Sequence, residues 1–136
     1  MKDYALDANA LVRYFRDQDG ADKVEKLLIL AAKKQAVLRI SVVNLTEVLY
    51  VYARYAGLEK ARTAVQKVKS LVEFESPDPE QALAAAALRI KYKLGMADCF
   101  VAELAMRTGA TLVTADPEFA RLGRQLKVLA LPRHQG

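Results

Sequence analysis

Short apolar runs alternate along this chain with stretches in which apolar residues return every three or four positions. The runs DYALD (3–7), VLRIS (37–41), LVEF (71–74), ATLVT (110–114) and LKVLA (126–130) read as strands. Ala21, Val24, Leu27, Leu28, Ala31 and Ala32 share one helical face, which predicts a helix over 21–32. A shorter helix near 9–16 turns Leu11, Val12 and Phe15 inward, and Gln18-Asp19-Gly20 breaks it. Helices are also expected at 43–56 and 58–70, with Gly57 between them. Ser76-Pro77-Asp78-Pro79 is the sharpest punctuation: Asp78 suits an N-cap, Pro79 the first helical position and Gln81 the capping box. That alanine-rich helix should reach Lys93 and stop near Gly95, and a further helix at 96–108 should end at Gly109. Strands alternating with helices imply an α/β fold around a central, mainly parallel sheet of four or five strands. No linker or repeat divides the chain, so a single domain is expected over 1–136.

Length and charge narrow the class. The 136 residues suffice for one buried core. No apolar stretch reaches the roughly 20 residues of a membrane span, and MKDYALDAN lacks the apolar centre of a signal peptide. Cys99 is the only cysteine and has no internal disulfide partner, which points to a reducing, cytoplasmic setting. The net charge is +5, from 21 Lys and Arg against 16 Asp and Glu. Basic residues concentrate in 23–39, 54–69, 89–93 and 121–133. Solvated helix faces account for that charge by themselves; beside an acidic pocket it also suits a bound polyanion.

Four carboxylates interrupt or end apolar runs: Asp7 in LDAN, Glu47 in SVVNLTEVL, Asp98 in GMADCF and Asp116 in VTADPEF. Each has an ordinary explanation. Asp7 can cap a helix or make a local turn. Glu47 lies on a helix whose Leu45, Val48, Leu49 and Tyr52 face is apolar, with Val43, Tyr50 and Val51 on its own side. That helix is expected to be buried, so Glu47 requires a partner, either a cation or Arg54. Asp98 suits a helix N-terminus, although Val101, Ala102 and Ala105 beside it are apolar. Asp116 before Pro117 is a natural N-cap. Taken together they converge. In a parallel sheet Asp7 and Asp116 close strands at one edge, the helix bearing Glu47 starts at that edge, and the helix bearing Asp98 starts there too. Carboxylates gathered in this way repel unless protons or a cation neutralise them, and oxygen ligands without His or Cys favour a hard divalent ion over zinc.

These words, in this order and over the whole chain, resemble the PIN-domain nucleases, especially the VapC-like toxins of bacterial and archaeal toxin–antitoxin pairs. LDAN (6–9) resembles the first acidic motif, SVVNLTEVL (41–49) the segment ending in glutamate, MADCFVAELA (96–105) the third acid with its small-residue helix, and LVTADPEF (112–119) the final motif. The resemblance implies an α/β/α sandwich in which Asp7, Glu47, Asp98 and Asp116 hold Mg²⁺ or Mn²⁺. Asn9 stands where the family usually has a small polar residue, often serine or threonine, and Thr114 matches the polar residue before the last acid. It further implies a metal-dependent endoribonuclease that leaves a 5′-phosphate and a 3′-hydroxyl on RNA, with a small antitoxin protein as partner. The remaining apolar surface of 43–56 and 58–70, with Val51, Tyr55 and Leu58, suggests a homodimer.

Other residues have plainer roles. His134 reads as a solvated tail residue and Cys99 as a small apolar helix residue. Tyr50, Tyr52 and Tyr55 are of a type that stacks on bases, but Tyr52 fits a core or a subunit interface better. Two rival functions are a non-catalytic PIN-fold binding module and a haloacid-dehalogenase-type phosphohydrolase with Asp7 as nucleophile. The second wants an aspartate where Asn9 stands and a lysine in a late motif.

Overall fold

The computed structural model describes residues 1–132; His134 lies outside them. Its elements follow the alternation of the sequence: β1 (Lys2–Leu6), α1 (Ala8–Phe15), α2 (Ala21–Ala32), β2 (Ala36–Ser41), α3 (Val42–Ala56), α4 (Leu58–Val68), β3 (Val72–Glu75), α5 (Pro79–Tyr92), α6 (Met96–Thr108), β4 (Thr111–Thr114), a 3-10 segment (Pro117–Gln125) and β5 (Lys127–Ala130). The five strands form one sheet in the order β3-β2-β1-β4-β5, with every pair parallel. Side chains alternate across the sheet as the pleat requires. Tyr4 and Leu6 join a core with α1 to α4, whereas Ala5 joins a second core with α5, α6 and the 3-10 segment. Helices therefore cover both faces, an α/β/α sandwich.

Local chemistry sets the element ends. Asp78 accepts from the Gln81 N–H at 2.8 Å while the Gln81 side chain accepts from the Asp78 N–H at 3.1 Å, completing the expected capping box. Gly109 closes α6 in the left-handed region, at φ 67°. Among the described residues no helix is long and apolar enough to cross a membrane.

One expectation fails on α3. The helix is not buried all round: Asn44, Leu45 and Val48 face inward, while Thr46, Glu47 and Tyr50 are exposed. Tyrosine accounts for much of the misreading, because its ring packs while its hydroxyl stays wet. The Tyr50 hydroxyl accepts from Arg54 at 3.3 Å, so Arg54 does not serve Glu47.

Strand order opens a crevice in the sheet. From β1 the chain moves outward through β2 to β3, then returns past β1 to build β4 and β5 on the other side. The direction reverses between β1 and β4. In open parallel sheets such a switch point leaves room for a ligand beyond the carboxyl ends of the strands.

Candidate metal centre

Asp7 stands directly beyond β1 in that crevice. Its N–H still donates to the Val113 carbonyl of β4, at 3.0 Å. Its side chain caps α1, with Oδ1 accepting from the Ala8 N–H at 2.9 Å. Oδ2 accepts from the Thr114 hydroxyl at 2.7 Å and from Asn9 Nδ2 at 3.1 Å. Both donors are themselves fixed: Asn9 Oδ1 accepts from the Ala115 N–H at 3.1 Å, and Thr114 Oγ1 from the Asp116 N–H at 3.0 Å. The two ends of the Asn9 amide thus join the strands on either side of the switch point. A serine hydroxyl would have to make both contacts from one atom.

Asp98 enters from the opposite side of the sheet, in the first turn of α6. Gly95, the N-cap residue, leaves it room: a Cβ there would lie 3.2 Å from Asp98 Oδ2. Asp116 caps the 3-10 segment, accepting from the Glu118 N–H at 2.9 Å. Capping does not turn its carboxylate away. Oxygens of Asp98, Asp116 and Glu118 all lie within 4.8 Å of one another.

The electrostatics show how crowded this charge is. Burial pushes the Asp98 carboxyl up to about 7, with Asp7, Asp116, Glu47 and Glu118 adding repulsion. The positive end of α6 would lower it, but the combined penalty prevails. Asp7, 4% exposed, is pushed up to about 6 mainly by burial; the hydrogen bonds from Thr114 and Ala8 oppose that rise, and Glu47 and Asp116 reinforce it. Glu47 stands out in solvent on α3 and has no ion-pair partner among the described residues. It reaches the site through its field on Asp7 and Asp98. The expected buried glutamate is replaced by an exposed one at the rim.

The PIN domain family model matches residues 4–125, nearly the whole chain. The chain belongs to the PIN domain family. Solved structures share its fold. A VapBC2 complex from Rickettsia felis, bound to a promoter DNA fragment, has a chain matching at TM-score 0.75 and 23% identity, over 95% of this chain and 98% of that one. A DNA-bound VapBC from Salmonella typhimurium matches at TM-score 0.74 and 20% identity, over 96% and 98%. Mycobacterium tuberculosis VapC20, a toxin that cleaves the sarcin–ricin loop, matches at TM-score 0.68 and 16% identity, over 88% and 95%. No curated protein sequence matches the chain significantly.

Within this PIN domain the acidic group fits a divalent cation by the chemistry of its donors. Three carboxylate oxygens from Asp98, Asp116 and Glu118 converge, and the Asp7 and Asp98 carboxyls hold protons well above their ordinary range. Hard ions take such ligands. Glu118 is not among the acids that the sequence pattern singles out. It is exposed and also lies 3.6 Å from Arg121, itself half-exposed. The clue is the Asp-Pro-Glu order: a cap followed by a proline-started turn carries the second acid back toward the first.

Proposed function

We propose that this PIN domain is a divalent-cation-dependent endoribonuclease and the toxin of a toxin–antitoxin pair. The observation that carries the reading is the convergence of Asp98, Asp116 and Glu118 oxygens, with Asp7 close enough to add repulsion to Asp98. Asp98, Asp116 and Glu118 would hold Mg²⁺ or Mn²⁺, with Asp7 and Glu47 adding negative charge from the floor and the rim. Bound there, the ion would lower the pKa of a water and stabilise charge on the scissile phosphate.

The protein's own groups then have defined tasks. Asn9 and Thr114 hold Asp7 in one orientation, so its charge does not swing away as the phosphate approaches. Burial and like charge raise the Asp98 and Asp7 carboxyls, and a bound cation would offset that penalty and keep Asp98 ionised as a ligand. A net charge of +5 favours attraction of the RNA backbone to the protein. Water would add to phosphorus and give up one proton to solvent as the bond to the 3′ oxygen breaks, and the 3′ oxygen would take a proton back from solvent, leaving a 5′-phosphate and a 3′-hydroxyl.

The phosphohydrolase alternative loses ground on geometry. A nucleophilic Asp7 must be approachable, yet it is 4% exposed and both its oxygens accept hydrogen bonds. The protein partner is proposed from the likeness to VapBC complexes: a small antitoxin seated over the acids would block them. Asp98→Asn tests the activity. RNA cleavage with Mg²⁺ or Mn²⁺ should fall by orders of magnitude while the fold persists, and cleavage near wild type would refute the role of Asp98. Co-purification with the product of the adjacent reading frame, and loss of cleavage on adding it, tests the partner.

A further inference from the structure

We propose that Asn44 is a positioning residue for the cation site, setting the first turn of α6, and Asp98 with it, against the helix that carries Glu47. This rests on the reading of the acids as a cation site. Asn44 is wholly buried, at 0% exposed, in the first turn of α3 and one turn before Glu47. Its Nδ2 donates at 3.1 Å to the carbonyl of Ala97, the residue before Asp98. Among the described residues this is the one side-chain hydrogen bond that runs between α3 and α6. The other side chains these helices bury are apolar apart from Glu103, which pairs with Arg107 of its own helix. Apolar packing is non-directional and leaves a helix some freedom to rotate and slide. A hydrogen bond to a backbone carbonyl removes that freedom at the turn where Asp98 sits.

The orientation of the amide is decided by its partner, because the reverse would set its oxygen against another carbonyl oxygen. Oδ1 is consequently buried with no protein donor. An unmatched buried acceptor is unfavourable, whereas an apolar side chain of the same size would be close to neutral. Stability alone therefore does not account for an asparagine here. Its link to Asp98 does. Ligand oxygens have to be held to roughly 0.5 Å to be effective, and the Asp98, Asp116 and Glu118 oxygens come from two separate stretches of chain. Fixing the first turn of α6 fixes one side of that group.

The test uses the full chain, stripped of metal and without RNA. Asn44→Leu keeps the volume and removes both polar ends; Asn44→Ala serves if the leucine does not fit. Mn²⁺ is titrated and the free ion followed by electron paramagnetic resonance, with thermal melts in chelator alongside. The Mn²⁺ dissociation constant should rise about tenfold, as for residues that orient a ligand, while the melting temperature of Asn44→Leu in chelator is unchanged or higher. A purely structural asparagine gives the opposite pairing, a lower melt with Mn²⁺ affinity within about twofold of wild type, and that result overturns the proposal. Asp98→Asn is run in parallel. If it binds Mn²⁺ like wild type, the cation-site reading itself fails; if it loses Mn²⁺ while the Asn44 variants keep it, only the role of Asn44 fails.

Discussion

Asp116 caps a helix-like segment and at the same time presents a carboxylate to Asp98 and Glu118. Reading it from the sequence as either a cap or a ligand poses a choice that the residue does not have to make, since each carboxylate has two oxygens and several lone pairs. Asp98 invites a sharper distinction. As a simple first-turn acid it would stabilise α6, and Asp98→Asn would cost a few tenths to about 1 kcal/mol. Its raised pKa states the reverse: ionised, it opposes folding. Asp98→Asn should therefore raise the melting temperature in chelator, and a lower one would contradict the crowding of charge. Thr114 makes a different case. Thr114→Val removes the 2.7 Å bond to Asp7 and leaves the Asp116 N–H without its acceptor. The fold should lose about 1–3 kcal/mol, and the Asp7 carboxyl should titrate higher still. Chemical denaturation and carboxyl titration by NMR measure the two effects.

At the scale of elements, the periodicity of apolar residues locates the strands and helices to within a residue or two, because burial on both sheet faces leaves long unbroken signals. The helix over 21–32 and the breaks at Gly57 and Gly109 match what the pattern implies. Exposure is harder to read. On α3, Tyr50 and Tyr55 count as apolar by residue type, yet each is 61% exposed. Asn44 escapes notice for the converse reason: one polar letter within SVVNLTEVL looks incidental, although Leu45 beside it and Val48 one turn on are buried. The homodimer proposal also belongs here. Of the three candidates Val51, Tyr55 and Leu58, the last two are exposed while Val51 packs partly against the core, and α5 adds exposed Leu83 at 73% and Ile90 at 81%, two turns apart on one face. If these residues form one contiguous patch, a second copy of the chain is a candidate to cover it. Sedimentation at roughly tens of micromolar, a range suited to ordinary interfaces, should give twice the monomer mass. The Leu83→Lys, Ile90→Lys double variant should run lighter if that face contributes.

For the whole molecule, the prediction concerns pH. Carboxyls with folded pKa values raised above the ordinary 3.8 favour folding only while protonated. In chelator, the contribution of Asp7 and Asp98 is complete below that value and is lost as pH climbs through about 6 and then about 7. The difference in melting temperature between Asp98→Asn and wild type should accordingly widen from pH 5 to pH 8 and shrink when Mn²⁺ is supplied. A difference that stays flat would mean that Asp98 ionises without cost. The shared edge of the acids is legible in the sequence because a parallel sheet points every strand one way. The switch point between β1 and β4 is not, since strand order depends on contacts far apart in the chain.

That distance has a consequence for how the protein comes into being. The Asp7 and Thr114 side chains that meet in the crevice are separated by 107 positions, and Asp98, Asp116 and Glu118 also belong to the later part of the chain. Synthesis runs from the N-terminus, and the early units fold first. A nascent chain that has made β1, β2 and their helices carries Asp7 and Glu47 but none of the three acids that converge. The most hazardous chemistry this fold is proposed to perform is thus withheld from every incomplete chain, and begins only when the returning strand docks beside the first.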